Sequence, residues 1–139
     1  MRRASSTWLA FSRAKLLFWL FVVMGFVAAP TVAQASALEE TTIPSAALGR
    51  PLDVSIYRPD GAAPTAGWPV LYLLHGLHGC YRDWAALGGI QKTLDQLIAS
   101  GRIKPMLVVM PDGSNSWYVD SAAIGGPGNY QTAILDDLP

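Results

Sequence analysis

The sequence predicts an α/β fold built around a parallel strand–helix–strand unit. Three observations carry that expectation. Val70-Leu71-Tyr72-Leu73-Leu74 and Met106-Leu107-Val108-Val109-Met110 are continuous apolar runs of strand length, the pattern of strands covered on both faces in a parallel sheet. Between them, Leu87, Ile90, Leu94, Leu97 and Ile98 recur at the spacing of one helix face. Ahead of both runs, Leu52-Asp53-Val54-Ser55-Ile56-Tyr57 alternates apolar and polar residues, which marks a half-buried strand.

In chain order, residues 1–37 stand apart from this pattern. Arg2, Arg3, Arg13 and Lys15 form a basic head, and Leu16–Ala29 carries no charge. Ala33-Gln34-Ala35 and Ala35-Ser36-Ala37 then offer small-residue exits. Head, apolar run and exit are the three parts of a secretory signal peptide. Crossing the hydrocarbon core takes ~20 apolar residues, and this run is shorter. A signal peptide over 1–37 and a secreted or periplasmic product are therefore expected, with a retained membrane anchor as the alternative. No membrane contact is expected beyond this segment. Residues 38–139 carry six basic and ten acidic side chains, so no basic surface argues for a nucleic-acid partner. Cys80 is the single cysteine and has no partner for an internal disulfide. It reads as a small semi-buried loop residue, with a reactive thiol as the rival.

The elements of residues 38–139 follow from local chemistry. Thr41-Thr42-Ile43 reads as a short strand, and Pro44 and Gly49 as the turn after it. Pro59-Asp60-Gly61 ends the alternating strand with turn residues, and 60–68 form a connector. His75-Gly76-Leu77-His78-Gly79 stops the first apolar run. One helix is expected over 85–100, with Asp83 as its N-cap and Gly101 in the left-handed position after it. Arg102 and Lys104 follow where the helix dipole favours cations. Pro111-Asp112-Gly113 closes the second run, with Asp112 expected to make a turn. Asn129 is the candidate cap of a last helix from Tyr130 that turns Ile134 and Leu138 inward. Asp136 and Asp137 are expected on its solvated face.

Ligands of parallel α/β sheets bind beyond the carboxyl ends of the strands. Segments 75–84 and 111–128 occupy such ends, and both are rich in Gly, aromatic and polar residues. Either alone reads as a plain turn; two on adjacent strand ends point to a site. His75 is a candidate base, set against a packed, hydrogen-bonded residue at a strand end. His78 is balanced between a site role and a loop role. Trp84 and Trp117 are loop-packing aromatics or substrate platforms. Two His residues three apart on a Gly turn, without further ligands at suitable spacing, predict no metal site.

Pro69–Gly79, then Asp83-Trp84, Val108-Val109-Met110-Pro111-Asp112-Gly113 and Trp117-Tyr118-Val119-Asp120-Ser121 resemble the putative esterase family. That family includes feruloyl and acetylxylan esterases, S-formylglutathione hydrolase and the mycobacterial mycolyltransferases. Ile43–Arg50 resembles its opening hairpin. The resemblance implies the N-terminal part of an α/β-hydrolase fold over 38–139, an antiparallel hairpin followed by the βαβ unit. It implies a small-molecule or carbohydrate-linked ester substrate and no cofactor. By position in the motif, the backbone N–H of Leu77 belongs to the oxyanion hole. Such a donor is worth about 2.7–4 kcal/mol of barrier. Gly76 and Gly79 let the backbone approach the substrate. His75 and His78 flank the acyl or leaving-group pocket, and Trp117, Tyr118 and Asp120 line it. The mycolyltransferase branch has Asp and Arg at the two His positions, which speaks against its sugar specificity here.

A serine hydrolase also needs a nucleophile on a G-x-S-x-G turn, then an acid and a base. The chain contains no G-x-S-x-G: Ile98 stands two residues before Ser100-Gly101, and Ser114 and Ser116 have the wrong spacing. The resemblance places the nucleophile, acid and base after the segment 129–139, so the chain is expected to be truncated before the elbow and inactive alone. The family's nucleophile strand pairs beside the run at 69–74, which is therefore expected to form an open, aggregation-prone edge. The leading expectation is an exported serine-type carboxylic ester hydrolase. The alternatives are an acyltransferase of mycolyltransferase type, moving an acyl group to a sugar, and a non-catalytic carbohydrate-binding module.

Overall fold

The computed structural model describes residues 35–138. The signal peptide expected over 1–37 lies outside the described residues as far as position 34. The elements are β1 (Ala37–Ile43), β2 (Leu52–Arg58), β3 (Val70–Tyr72), α1 (Asp83–Ala86), α2 (Ile90–Ala99), β4 (Leu107–Pro111), a 3-10 turn (Ala122–Ile124) and α3 (Tyr130–Asp136). The strands form one sheet in the order β1-β2-β4-β3. β1 and β2 make an antiparallel hairpin in which Ala37 faces Arg58 and Ile43 faces Leu52. β2 and β4 are antiparallel, whereas β3 and β4 run parallel with α1 and α2 between them. The expected strand–helix–strand unit is present, and the hairpin precedes it.

Each sheet face has its own core. Leu52, Val54 and Val109 pack against Tyr130, Ala133 and Leu138, with Ile43, Ala47 and Leu48 at the margin. On the opposite face Tyr57, Val108 and Met110 pack against Leu94, with Ile90 and Ile98 beside it. β4 is therefore buried on both faces, as its apolar run predicts. β2 departs from the half-buried expectation, because Ser55 and Tyr57 are also buried. As an inner strand it has a layer on each side, and Tyr57 meets that burial by donating its hydroxyl to Asp95 Oδ1 at 2.8 Å. Burial, with Asp95 nearby, pushes the Tyr57 phenol well above its ordinary range.

Four local expectations are corrected. The helix expected over 85–100 is two helices, broken at Gly88-Gly89. Gly89 takes φ +58° at the start of α2, and a Cβ on Gly88 would press on the Trp84 carbonyl at 2.8 Å. The break turns Leu87 outward to 84% exposure. Asp83 is the first residue of α1, not its cap; its Oδ2 accepts the Cys80 N–H at 3.1 Å instead. Asn129 does not cap α3: its Oδ1 accepts the Ala122 N–H, and Asp120 supplies the cap by accepting the Thr132 N–H at 3.0 Å. Asp137 is not merely solvated, since it accepts the Ser45 hydroxyl at 2.6 Å and the Ala47 N–H at 3.1 Å. Those bonds hold its carboxyl below the usual carboxylate range and tie the turn after β1 to the end of α3.

The end of α2 is as expected. Gly101 has φ +69°, and Arg102 N–H to Leu97 O with Gly101 N–H to Ile98 O makes a Schellman close. β3 differs from the buried strand its composition predicts. It spans three residues at the sheet edge, and Val70, Leu71 and Leu74 are exposed. Among the described residues only β4 pairs with it.

Candidate active site

Parallel neighbours carry their exits side by side, so the segments leaving β3 and β4 meet at one end of the sheet. His75 joins them. It is 7% exposed, and its Nε2 accepts the buried Gly113 N–H at 2.8 Å. An acceptor at Nε2 leaves the proton of the neutral ring on Nδ1, which donates to Gly76 O at 2.8 Å. Tyr118 adds a second tie by donating its hydroxyl to His75 O at 3.1 Å. Its ring meets the imidazole edge-on, with centroids 5.7 Å apart. Gly113 is required beneath that ring, because any Cβ there would run into Tyr118. Burial pushes the Tyr118 phenol up to about 12.

These ties fix the turn that follows. Gly79 N–H donates to Gly76 O at 3.0 Å, and His78, the third residue of the turn, has φ +63°. His78 N–H donates to Asn115 Oδ1 at 3.0 Å. Leu77 occupies the tip, 66% exposed, and its N–H meets no acceptor among the described residues. Beside the turn is a cleft of about 320 Å³ lined by His75, Gly76, Asp83, Trp84, Leu87 and Gly88. Trp84 stands in its wall and donates its indole N–H to Leu74 O at 3.2 Å. Cys80 is partly buried, with Sγ 3.4 Å from Asp83 Oδ1.

The structure thus brings together His75, Gly76, Leu77, His78 and Tyr118. Both His75 ring nitrogens are occupied by backbone groups, which is the packed role weighed against the base. Trp117 is 86% exposed and packs no loop. Asp120 spends both carboxylate oxygens on Thr132, at 3.0 Å to its N–H and 2.6 Å to its hydroxyl. Those bonds hold the Asp120 carboxyl below its ordinary value. Asn115 is the contributor that sequence reasoning missed. Its bond to His78 spans 37 positions, a contact that no local pattern encodes.

Comparison with known proteins accords with this geometry. The sequence model of the family described as "Putative esterase" matches residues 45–139. A curated relative, an endo-1,4-beta-xylanase/feruloyl esterase of Xylanibacter ruminicola, is 29% identical over 107 residues, covering 73% of this chain and 15% of that protein. A solved ferulic acid esterase superposes with a TM-score of 0.62 at 24% identity, over 75% of this chain and 41% of its own. A second solved structure, of a protein called FAE, gives 0.58 at 21% identity over 80% and 36%. The chain spans less than half the length of each of these relatives. The likeness in structure establishes a partial α/β-hydrolase-like fold.

Proposed function

This chain belongs to the Putative esterase family, and on that footing we propose that the protein is an exported carboxylic ester hydrolase using serine acyl-enzyme chemistry. The observation that carries the reading is the Leu77 amide, set at an exposed tip without an acceptor among the described residues. It offers a preorganised donor for the negative charge that develops on a carbonyl oxygen in acyl transfer. Such a donor works because its direction is fixed before the reaction begins. Here the fixing comes from His75, which donates to the Gly76 carbonyl and accepts the Gly113 N–H, each at 2.8 Å, and so links the turn to Gly113.

On this proposal the nucleophile, its acid and its base lie outside residues 38–139, which carry no G-x-S-x-G. For the substrate we take the aromatic acyl esters of carbohydrate. The name of the Xylanibacter relative supports that class, and so do the Trp84-lined cleft and the projecting Trp117. A sugar acyltransferase is disfavoured because His75 has no ring nitrogen left for a sugar hydroxyl. Export is supported by the basic head, apolar run and small-residue exit of residues 1–37.

The test begins with the coding DNA beyond position 139. A G-x-S-x-G is expected there, and the longer product is expected to hydrolyse methyl ferulate until that serine is replaced by alanine. Residues 38–139 alone are expected to leave p-nitrophenyl acetate intact. Turnover of that ester by residues 38–139, or a longer product without G-x-S-x-G and without turnover, refutes the proposal.

A further inference from the structure

Three non-glycine residues among those described have positive φ: His78 at +63°, Ser114 at +49° and Tyr118 at +57°. All three lie in the two segments at the strand tips. An L-residue resists this conformation because its Cβ crowds the backbone, and it persists only where its surroundings over-determine it. In each case a side-chain oxygen accepts the strained residue's own amide. Asp112 Oδ1 takes Ser114 N–H at 2.7 Å, Ser116 Oγ takes Tyr118 N–H at 3.1 Å, and Asn115 Oδ1 takes His78 N–H at 3.0 Å. The first two bonds are local. The third crosses from one segment to the other.

Turn chemistry gives the crossing bond its meaning. The bond from Gly79 N–H to Gly76 O closes a four-residue turn with positive φ at the third residue. That is type II geometry, whose third position favours Gly or Asn. His78 is neither. In the type I alternative the third residue has φ of about −90° and the peptide between the middle residues is turned over. His78 N–H would then point away from Asn115, and the Leu77 carbonyl would swing to the opposite face of the turn.

We propose that Asn115 is the positioning residue that holds the Leu77–His78 peptide in its type II orientation and so sets which face of the turn the Leu77 carbonyl occupies beside the Leu77 N–H. The functional weight of the clamp rests on the reading of Leu77 as an oxyanion donor; the clamp itself is a claim about conformation. Asn115 is exposed, so replacing it leaves both cores untouched.

The experiment is quench-flow hydrogen exchange on the full chain at micromolar concentration, with mass-spectrometric fragmentation that isolates the Leu77 and His78 amides. Asn115→Leu removes the acceptor and is expected to speed exchange at His78 about fivefold, the worth of one exposed hydrogen bond. It is also expected to change exchange at Leu77. Asn115→Asp keeps an acceptor and restores protection at His78. In the His78→Gly background the left-handed conformation needs no support, and Asn115→Leu then leaves Leu77 unchanged. The proposal is overturned if Asn115→Leu leaves His78 at the wild-type rate, or if its effect on Leu77 is as large in the His78→Gly background. A second arm adds methylphosphonate as an oxyanion mimic. Protection of Leu77 in the wild-type chain and its loss in Asn115→Leu support clamp and donor together. Asn115 effects without any protection at Leu77 refute the donor reading and leave the clamp, so the two failures are told apart.

Discussion

Replacing His75 by leucine tests the tie between the two strand tips. Leucine fills a similar volume, so the expected loss comes from hydrogen bonding and not from a cavity. Gly113 is buried and donates its N–H to His75 Nε2 at 2.8 Å. Removing that acceptor strands a buried donor, at a cost of about 1–3 kcal/mol. The Gly76 carbonyl loses its partner too, but Gly76 is exposed, so water replaces the bond. The expected destabilisation is therefore about 2 kcal/mol, roughly a thirtyfold shift in the unfolding equilibrium. His75→Gln keeps an oxygen within reach of the Gly113 amide and is expected to lose about half as much or less. Urea unfolding of the dilute full chain, followed by tryptophan fluorescence, measures both variants. If His75→Leu unfolds at the wild-type midpoint, or if glutamine is no better than leucine, the latch between the segments is not what holds them.

The remaining predictions follow from single contacts. Thr132 holds the Asp120 carboxyl below its ordinary value; the resulting stabilisation is present at neutral pH and is lost as pH falls through the depressed value. Thr132→Val is expected to return the Asp120 titration toward the usual carboxylate range, read by NMR of the side-chain carboxyl. Tyr118 is raised to about 12 by burial, so its contribution is complete below pH ~10 and is lost as pH rises toward the folded value. Tyr118→Phe is expected to remove that part of the alkaline unfolding transition, followed by ultraviolet difference spectra. Leu71→Lys places a charge on the exposed β3 edge and is expected to raise the monomeric fraction in size-exclusion chromatography.

What was legible in the sequence was what local chemistry determines. The run at 106–110 reads as a doubly covered strand because both flanking layers come from neighbouring segments. Gly101 reads as a helix close because the left-handed position follows directly on the last turn. The break at Gly88-Gly89 was hidden by the apolar spacing of Leu87, which continues the helical pattern while pointing to solvent. The cap of α3 was hidden differently: Asn129 has the right chemistry and position, yet Asp120 reaches the same helix from across a bridge to Asn129. At the site, His75, Gly76, Leu77, His78 and Tyr118 were named from their motif, and the packed role of His75 was weighed there, whereas the group it bonds was not readable. Its partner Gly113 lies 38 positions away, and only the parallel pairing of β3 with β4 brings the two together. β3 shows the same dependence, since its apolar run records side-chain chemistry while its burial depends on which elements lie alongside it.

If the amide at position 77 stabilises an oxyanion, a proline there removes the donor. Leu77 is the second residue of its turn, a position where proline's fixed φ of about −65° is accommodated. Leu77→Pro therefore deletes the N–H and leaves the turn in place. In the protein carrying the expected serine, kcat on methyl ferulate is predicted to fall about 10²–10³-fold, with KM little changed. Leu77→Ala, which keeps the N–H, is predicted to stay near wild type. Full activity in Leu77→Pro, or an equal loss in Leu77→Ala, would contradict the claim.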